Sequence, residues 1–265
     1  MVRRGGVGRT IDFQGFVQSV ELVRDNIPSF DAYPFSVPAI RGLDKLALDP
    51  KITFIVGENG SGKSTLIEAI AVAAGFNAEG GSSNFAFSTR RSESPLHGHV
   101  RLARGLRRPR TDFFLRAESY FNVATEIERL DAEPLGGDPI IDAYGGVSLH
   151  EQSHGESFMA LVKHRFGPNG FYILDEPESA LSPQRQLSLL AILHRLVSAN
   201  CQFIIATHSP ILMAYPDASI FHLSSDGIRS VAYEDTEHYG ITRDFLNHRE
   251  RFFKHLFDDQ DPTPE

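Results

Sequence analysis

The nine residues Gly57-Glu58-Asn59-Gly60-Ser61-Gly62-Lys63-Ser64-Thr65 constrain the fold of this chain more than any other stretch. They match G-x-x-x-x-G-K-[ST], a loop that wraps phosphate only when a buried strand precedes it and a helix follows. Both flanks are present. Ile52 to Val56 is a short β-branched and aromatic run that stops at Gly57, and Ser64 to Ala74 is rich in Ala, Leu and Ile with Gly75 where a helix-ending glycine belongs. In such a loop the glycines let backbone N–H groups point inward at phosphate oxygens, and the helix N-terminus adds partial positive charge. Lys63 then reaches the β and γ phosphates, and the Ser64 hydroxyl ligates Mg²⁺. A glycine-rich turn without a ligand is the plain alternative.

A second buried strand is expected at Phe171 to Leu174, and it ends on Asp175-Glu176. Two acids at the C-terminal end of a strand lie where the ligand crevice of an open parallel sheet opens. There Asp175 holds Mg²⁺ directly or through water, and Glu176 faces the γ-phosphate to orient or deprotonate water. An acidic turn that stops the strand explains the same residues. Ser182-Pro183 starts a helix over Gln184 to Ala199, and Gln202 to Ala206 forms a third strand. Strands separated by helices predict a mostly parallel sheet with helices on its faces. Ser219 to Leu223 and Ile228 to Tyr233, joined through Asp226-Gly227, read as a hairpin. The last helix is expected over Thr242 to Phe257, with Phe245, Leu246, Phe252, Phe253 and Leu256 near one side.

Composition removes several classes. The formal charge is -8 on 265 residues, with a pI of about 5.8, so there is no global basic field to hold nucleic acid or an acidic membrane. The lone cysteine, Cys201, allows no intrachain disulfide, and no Cys/His spacing suits structural zinc. Met1 to Thr10 lacks an apolar export segment, and no run approaches the ~18 apolar residues that span a bilayer, so a cytoplasmic chain without direct membrane insertion is expected. One domain over residues 1–265 is expected, with a variable, helical insertion over about 76–150 and an acidic tail at 258–265. Arg90, Arg91, Arg101, Arg104, Arg107, Arg108 and Arg110 form the one dense basic stretch, a candidate surface for nucleic acid or an acidic partner.

The phosphate loop, Asp175-Glu176, Ser153-His154-Gly155-Glu156 after Gln152, and Ala206-Thr207-His208-Ser209 together resemble the ABC-type ATPase set. The resemblance spans Lys51 to Pro210. It implies a P-loop NTPase α/β fold of ABC-ATPase head architecture, a mostly parallel core sheet plus N-terminal antiparallel strands. It also implies ATP and Mg²⁺ as cofactors and hydrolysis of ATP to ADP and phosphate. Glu58, Asn59, Gly60, Ser61, Gly62, Lys63, Ser64 and Thr65 with Gly57 would bind nucleotide, Ser64 and Asp175 the metal, and Glu176 and His208 would act on the γ-phosphate. Ser153, His154, Gly155 and Glu156 would be the signature that closes over ATP held by a second copy, giving an ATP-dependent homodimer. Ser153 and Glu156 also form a helix capping box, which accounts for those two residues by itself.

No Gln occurs from Thr65 to Glu151, where the family usually places one after a strand; Glu118, just beyond Asp112 to Ala117, is the nearest counterpart. Tyr33 and Phe35 lie at about the position of the family's adenine-stacking aromatic, with a core or loop role equally open. Ile27-Pro-Ser-Phe-Asp-Ala-Tyr-Pro-Phe and Phe114-Leu-Arg-Ala-Glu-Ser-Tyr-Phe resemble the bacterial predicted AAA-family or SMC-like ATPases more than transporter subunits. The resemblance implies an unknown protein partner and a role in nucleic-acid maintenance or defence. The ATP-binding subunit of an ABC membrane transporter is the alternative, told apart by a membrane partner that stimulates turnover. A slow nucleotide-dependent clamp is a third reading.

Overall fold

The computed structural model describes residues 13–83, 94–116, 125, 128, 129, 131, 141, 142, 146 and 153–258. Two sheets carry the architecture. Strands β1 (Val17–Leu22), β2 (Lys45–Ala47) and β4 (Val100–Arg104) form an antiparallel sheet in the order β2-β1-β4. The larger sheet runs β5-β6-β7-β3-β8-β9 and uses β3 (Ile52–Gly57), β5 (Thr111–Arg116), β6 (Gly170–Asp175), β7 (Gln202–Ala206), β8 (Ser219–Ser224) and β9 (Gly227–Val231). All neighbours in it are parallel except the β8/β9 hairpin.

The central strands β3, β6 and β7 are buried at every position, so their sequences read as largely apolar runs without strict alternation. Alternation returns once the two faces are separated. Phe54, Val56, Tyr172, Leu174, Phe203 and Ile205 point to one core, covered by α3 (His154–Arg165) and α4 (Pro183–Ser198). Ile55, Phe171, Ile173 and Ile204 point to the other, shared by α2 (Lys63–Ala74) and the small sheet. Each fully buried Leu, Ile or Phe contributes about 1.5–3 kcal/mol. Buried Gln202 fastens the small sheet to the large one: its Oε1 accepts from Phe16 N–H (2.7 Å) and Val17 N–H (3.0 Å), and its Nε2 donates to Val17 O (2.7 Å) and Asp49 O (2.9 Å).

The expected strands at 52–56, 171–174 and 202–206 and the helices after the first two stand within about a residue or two of their predicted bounds. Ser182 caps α4 as its position suggested. Other parts differ. The span 76–150 is not purely helical among its described residues, since β4 joins the N-terminal sheet and β5 extends the core sheet. Gly81 exchanges both backbone hydrogen bonds with Phe114, covering the middle of the β5 edge. The hairpin's second strand ends at Val231, and Tyr233 starts a 3-10 turn. Short helices α1 (Pro38–Arg41) and α5 (Pro210–Met213) lie in the connections before β2 and after β7, and the last helix, α6 (Glu237–Asp258), begins earlier than expected and kinks at His248. The residues expected on its apolar side are largely exposed, Leu246 at 71% and Leu256 at 56%. Among the described residues no helix is long and apolar enough to cross a membrane.

Candidate functional site

The strand order places the ends of β3, β7 and β6 side by side, so the residues after each strand meet at one edge of the sheet. After β3 the chain passes through Gly57, Gly60 and Gly62, all at positive φ, where L side chains are strained. A Cβ on Gly57 would also strike the Leu223 carbonyl. Gly62 caps α2 without any side-chain hydrogen bond, and no acid stands in the first turn, so the helix presents its N–H groups to an anion. Lys63 is 4% exposed and donates to Gly57 O and Glu58 O, each at 2.8 Å. Burial pushes its pKa down, while the Glu176, Asp175 and Glu178 carboxylates oppose that shift.

The Ser64 hydroxyl donates to Asp175 Oδ1 at 3.2 Å, and that buried carboxylate faces Arg116 Nε at 3.6 Å. Glu176, one residue on, adopts the left-handed conformation (φ 51°, ψ 53°) while its N–H continues the ladder to Ala206 O. This turn takes the Glu176 side chain to the cleft lined by Tyr33, Asn59, Lys63, Ser64 and Thr65. Left-handed geometry costs a non-glycine residue about 1–2 kcal/mol, and such outliers concentrate at functional sites. His208 Nε2 lies 3.6 Å from Glu176 Oε1. Tyr33, 64% exposed, hydrogen-bonds Thr65 Oγ1 at 3.0 Å; Phe35 is buried in the core against His99.

These features suit a nucleoside triphosphate with its divalent cation. The loop offers a buried cation and an uncapped helix start, and the Ser61 hydroxyl is buried without a hydrogen-bond partner among the described residues. The Ser64 hydroxyl and Asp175 carboxylate, already in contact, are hard oxygen donors of the type Mg²⁺ takes.

Sequence reasoning missed four contributors to this site. Glu178, in the 3-10 turn after Glu176, accepts from the Thr207 hydroxyl (2.8 Å) and the His208 N–H, tying the acidic loop to the histidine loop. Its burial pushes its pKa up. Arg116 pairs with Glu68 at 2.8 Å behind Asp175, and Glu68 also accepts from Ser94 N–H. His238, from the first turn of α6, meets His208 ring to ring. No local pattern advertises such contacts, because each joins residues at least 26 positions apart. Glu118 lies outside the described residues, as do Arg90, Arg91 and Gln152.

Ser153 to Glu156 stand apart from the phosphate loop, at the start of α3. The Glu156 carboxylate accepts from the Ser153 N–H (3.1 Å) and hydroxyl (2.6 Å), the capping box that the spacing allowed, and Arg185 pairs with it at 3.3 Å. Gly155 is buried, and a Cβ there would sit 2.8 Å from Ala180 O and collide with the Arg185 guanidinium. Gly155→Ala is therefore expected to lower stability by about 1–3 kcal/mol, against the gain in helix propensity. A thermal melt matching the wild type would show that this contact yields freely. In the basic stretch, Arg101 and Arg104 lie on β4, and Arg104 donates to Ala73 O and Ala74 O at 3.1 Å, the C-terminal end of α2. Arg108 and Arg110 are exposed beyond β4, and Arg107 and Arg108 line a groove with Leu106 and Asp112.

A strand, a glycine loop over a helix N-terminus, and paired acids two strands away define a P-loop nucleotide-binding domain of the ABC/AAA type. An AAA-domain family model, AAA_23, matches residues 26–127, and a second, AAA_21, whose description adds an AbiEii toxin of a Type IV TA system, matches 142–214. Both matches are to AAA-type domains, each over less than half of the chain. It is 24% identical over 242 residues to the brefeldin A resistance protein of Schizosaccharomyces pombe, covering 84% of this chain but 15% of that protein's length. Similar solved structures include the SMC head domain from Thermotoga maritima (18% identity, TM-score 0.43, 82% of this chain and 98% of that one). Another is CbiO1 from Clostridium perfringens, part of the ABC transporter complex cbiONQ (18% identity, TM-score 0.47, 92% and 99%).

Proposed function

We propose that this chain binds Mg-ATP over Gly57 to Thr65, pairs with a second copy around two nucleotides, and hydrolyses ATP slowly. The observation that carries the reading is the meeting of Ser64 Oγ with Asp175 Oδ1 at 3.2 Å, with Glu176 lining the cleft beside Ser64 and His208 Nε2 3.6 Å from the Glu176 carboxylate. In this reading Lys63 releases the loop carbonyls and places its ammonium against the β and γ phosphates. Ser64 and Asp175 hold Mg²⁺, which offsets charge on the phosphoryl oxygens. Glu176 takes the proton of an attacking water at its carboxylate, and His208 donates from its ring to the γ-phosphate. Ser153, at the exposed start of α3, is accessible to a nucleotide held by another copy.

The test is solution mass by light scattering, with and without Mg-ATP, for the wild type and Lys63→Ala. Mass should double with Mg-ATP in the wild type. Lys63→Ala should lose about 10- to 100-fold in ATP affinity, the loss of one charge-assisted contact, and keep its nucleotide-free mass. ATP bound without a change of mass would remove the paired reading. Repeating the wild-type measurement with duplex DNA asks whether the Arg101 to Arg110 surface binds it, and a mass shift only with DNA present would answer yes.

A further inference from the structure

The geometry points to His238 as the positioning residue of His208, donating from its Nε2–H so that His208 carries its own proton on Nε2, toward the cleft. The assignment rests on the reading of His208 as the group that contacts the γ-phosphate. Its foundation is a ring-to-ring contact, His208 Nδ1 to His238 Nε2 at 3.0 Å, with centroids 5.1 Å apart and planes at 59°. A hydrogen bond between two imidazoles needs one donor and one acceptor, and a neutral imidazole carries one N–H. Burial pushes both rings' pKa values down, with Lys63 adding to the effect, so both are neutral near pH 7.

Two arrangements satisfy the contact, and the surroundings separate them. If His208 Nδ1–H donates, His208 Nε2 becomes a bare lone pair 3.6 Å from Glu176 Oε1, acceptor against carboxylate. The His238 proton then sits on Nδ1, which is buried with no hydrogen-bond partner among the described residues. If His238 Nε2–H donates, His208 bears its proton on Nε2, where the N–H faces the Glu176 carboxylate at 3.6 Å, beyond hydrogen-bond length but of favourable sign, and His238 Nδ1 is left with a lone pair instead of an N–H. Buried N–H groups without acceptors are rarer and more costly than unmatched acceptors. The second arrangement is the consistent one. It also gives His208 Nε2, itself buried without a hydrogen-bond partner in the described residues, a proton to offer a phosphate oxygen. The tautomer of an imidazole is set in this way by what its other nitrogen meets.

The position of His238 fits this role. It stands in the first turn of α6, after the 3-10 turn Tyr233–Asp235, and Thr236 before it is buried. His222, from β8, lines a neighbouring crevice with Glu58, Ser61 and Glu237, the residue before His238. Glu58 and Ser61 belong to the phosphate loop, so the histidines of β8, of the turn after β7 and of α6 border it together.

The experiment reads the proton directly. Two-bond ¹H–¹⁵N correlation spectra of protein labelled at histidine nitrogens distinguish Nδ1–H from Nε2–H, and His208→Asn assigns the His208 signals. Wild type without nucleotide should show His208 protonated on Nε2 alone. His238→Leu, which removes the donor, should shift His208 toward a mixture of both tautomers and lower kcat about 10-fold with ATP affinity unchanged. His238→Gln, whose amide N–H can donate to His208 Nδ1, should restore the Nε2–H form and most of kcat. A wild-type His208 protonated on Nδ1, or a tautomer unaltered in His238→Leu, overturns the assignment. Absence of ATP turnover in every variant, with the tautomer pattern as expected, would instead remove the hydrolytic reading and leave the His238 contact standing.

Discussion

Glu176→Gln should lower ATP turnover by about 10²- to 10⁴-fold, the usual contribution of a general base, while ATP still binds. The substitution keeps the size of the side chain but leaves nothing at that position able to take a proton from water. Its surroundings make the effect local. Glu176 hangs from a left-handed turn at the end of β6, and its N–H continues the sheet ladder to Ala206 O irrespective of the side chain. Lys63, Ser64 and Asp175, which carry binding in the proposed function, are untouched. Phosphate release measured in a single turnover reads the chemical step, and solution mass with Mg-ATP should show the variant held as a pair. Undiminished turnover would take Glu176 out of the role of base.

Arg116→Leu should cost about 3–5 kcal/mol of stability, because it strips the partner from a carboxylate that stays in the interior. Arg116 and Glu68 are 17% and 12% exposed and pair at 2.8 Å, and the same guanidinium faces Asp175. In a domain of this size such a loss lowers Tm by roughly 6–20 °C. The double variant Arg116→Leu/Glu68→Leu should recover much of the loss, since an apolar pair leaves no charge buried alone. Thermal melts of the two variants and Glu68→Leu complete the cycle. A double variant no better than the sum of its parts would show that Arg116 acts through Asp175 rather than Glu68.

What the sequence made legible was local. Strands β3, β6 and β7 stand out because burial on both faces makes them mostly apolar, with Thr53 the polar residue inside β3 and Gln202 at the start of β7, and each ends on a residue that breaks a strand: Gly57, Asp175-Glu176, or Thr207-His208. Helices α2 and α4 were bounded by Gly75 and Ser182-Pro183, whose capping chemistry is written in the residue types. The part of the site that escaped notice depends on register and distance. Arg116 reads as an ordinary strand residue until β5 pairs with β6 and brings it level with Asp175. Its neighbour Glu118 drew attention instead, on family analogy. His238 is 30 residues from His208 and belongs to a helix whose aromatic pattern suggested packing, though Leu246, Phe253, Leu256 and Phe257 are exposed. Gly155 was legible as a residue but not in its reason, which includes the Ala180 carbonyl lying against it.

The pairing of Gly81 with Phe114 bears on how copies of this chain can adhere to one another. An open strand edge is a template on which another chain's strand can add, and such growth tends toward aggregates that do not come apart. Here Gly81 takes up both backbone groups of Phe114 at the middle of β5, with N–H···O distances of 2.8 and 2.9 Å. An incoming strand cannot run the length of that edge without first displacing it. Association across the β5 side is thereby steered toward side-chain and loop contacts, which separate readily when the conditions that favour them pass.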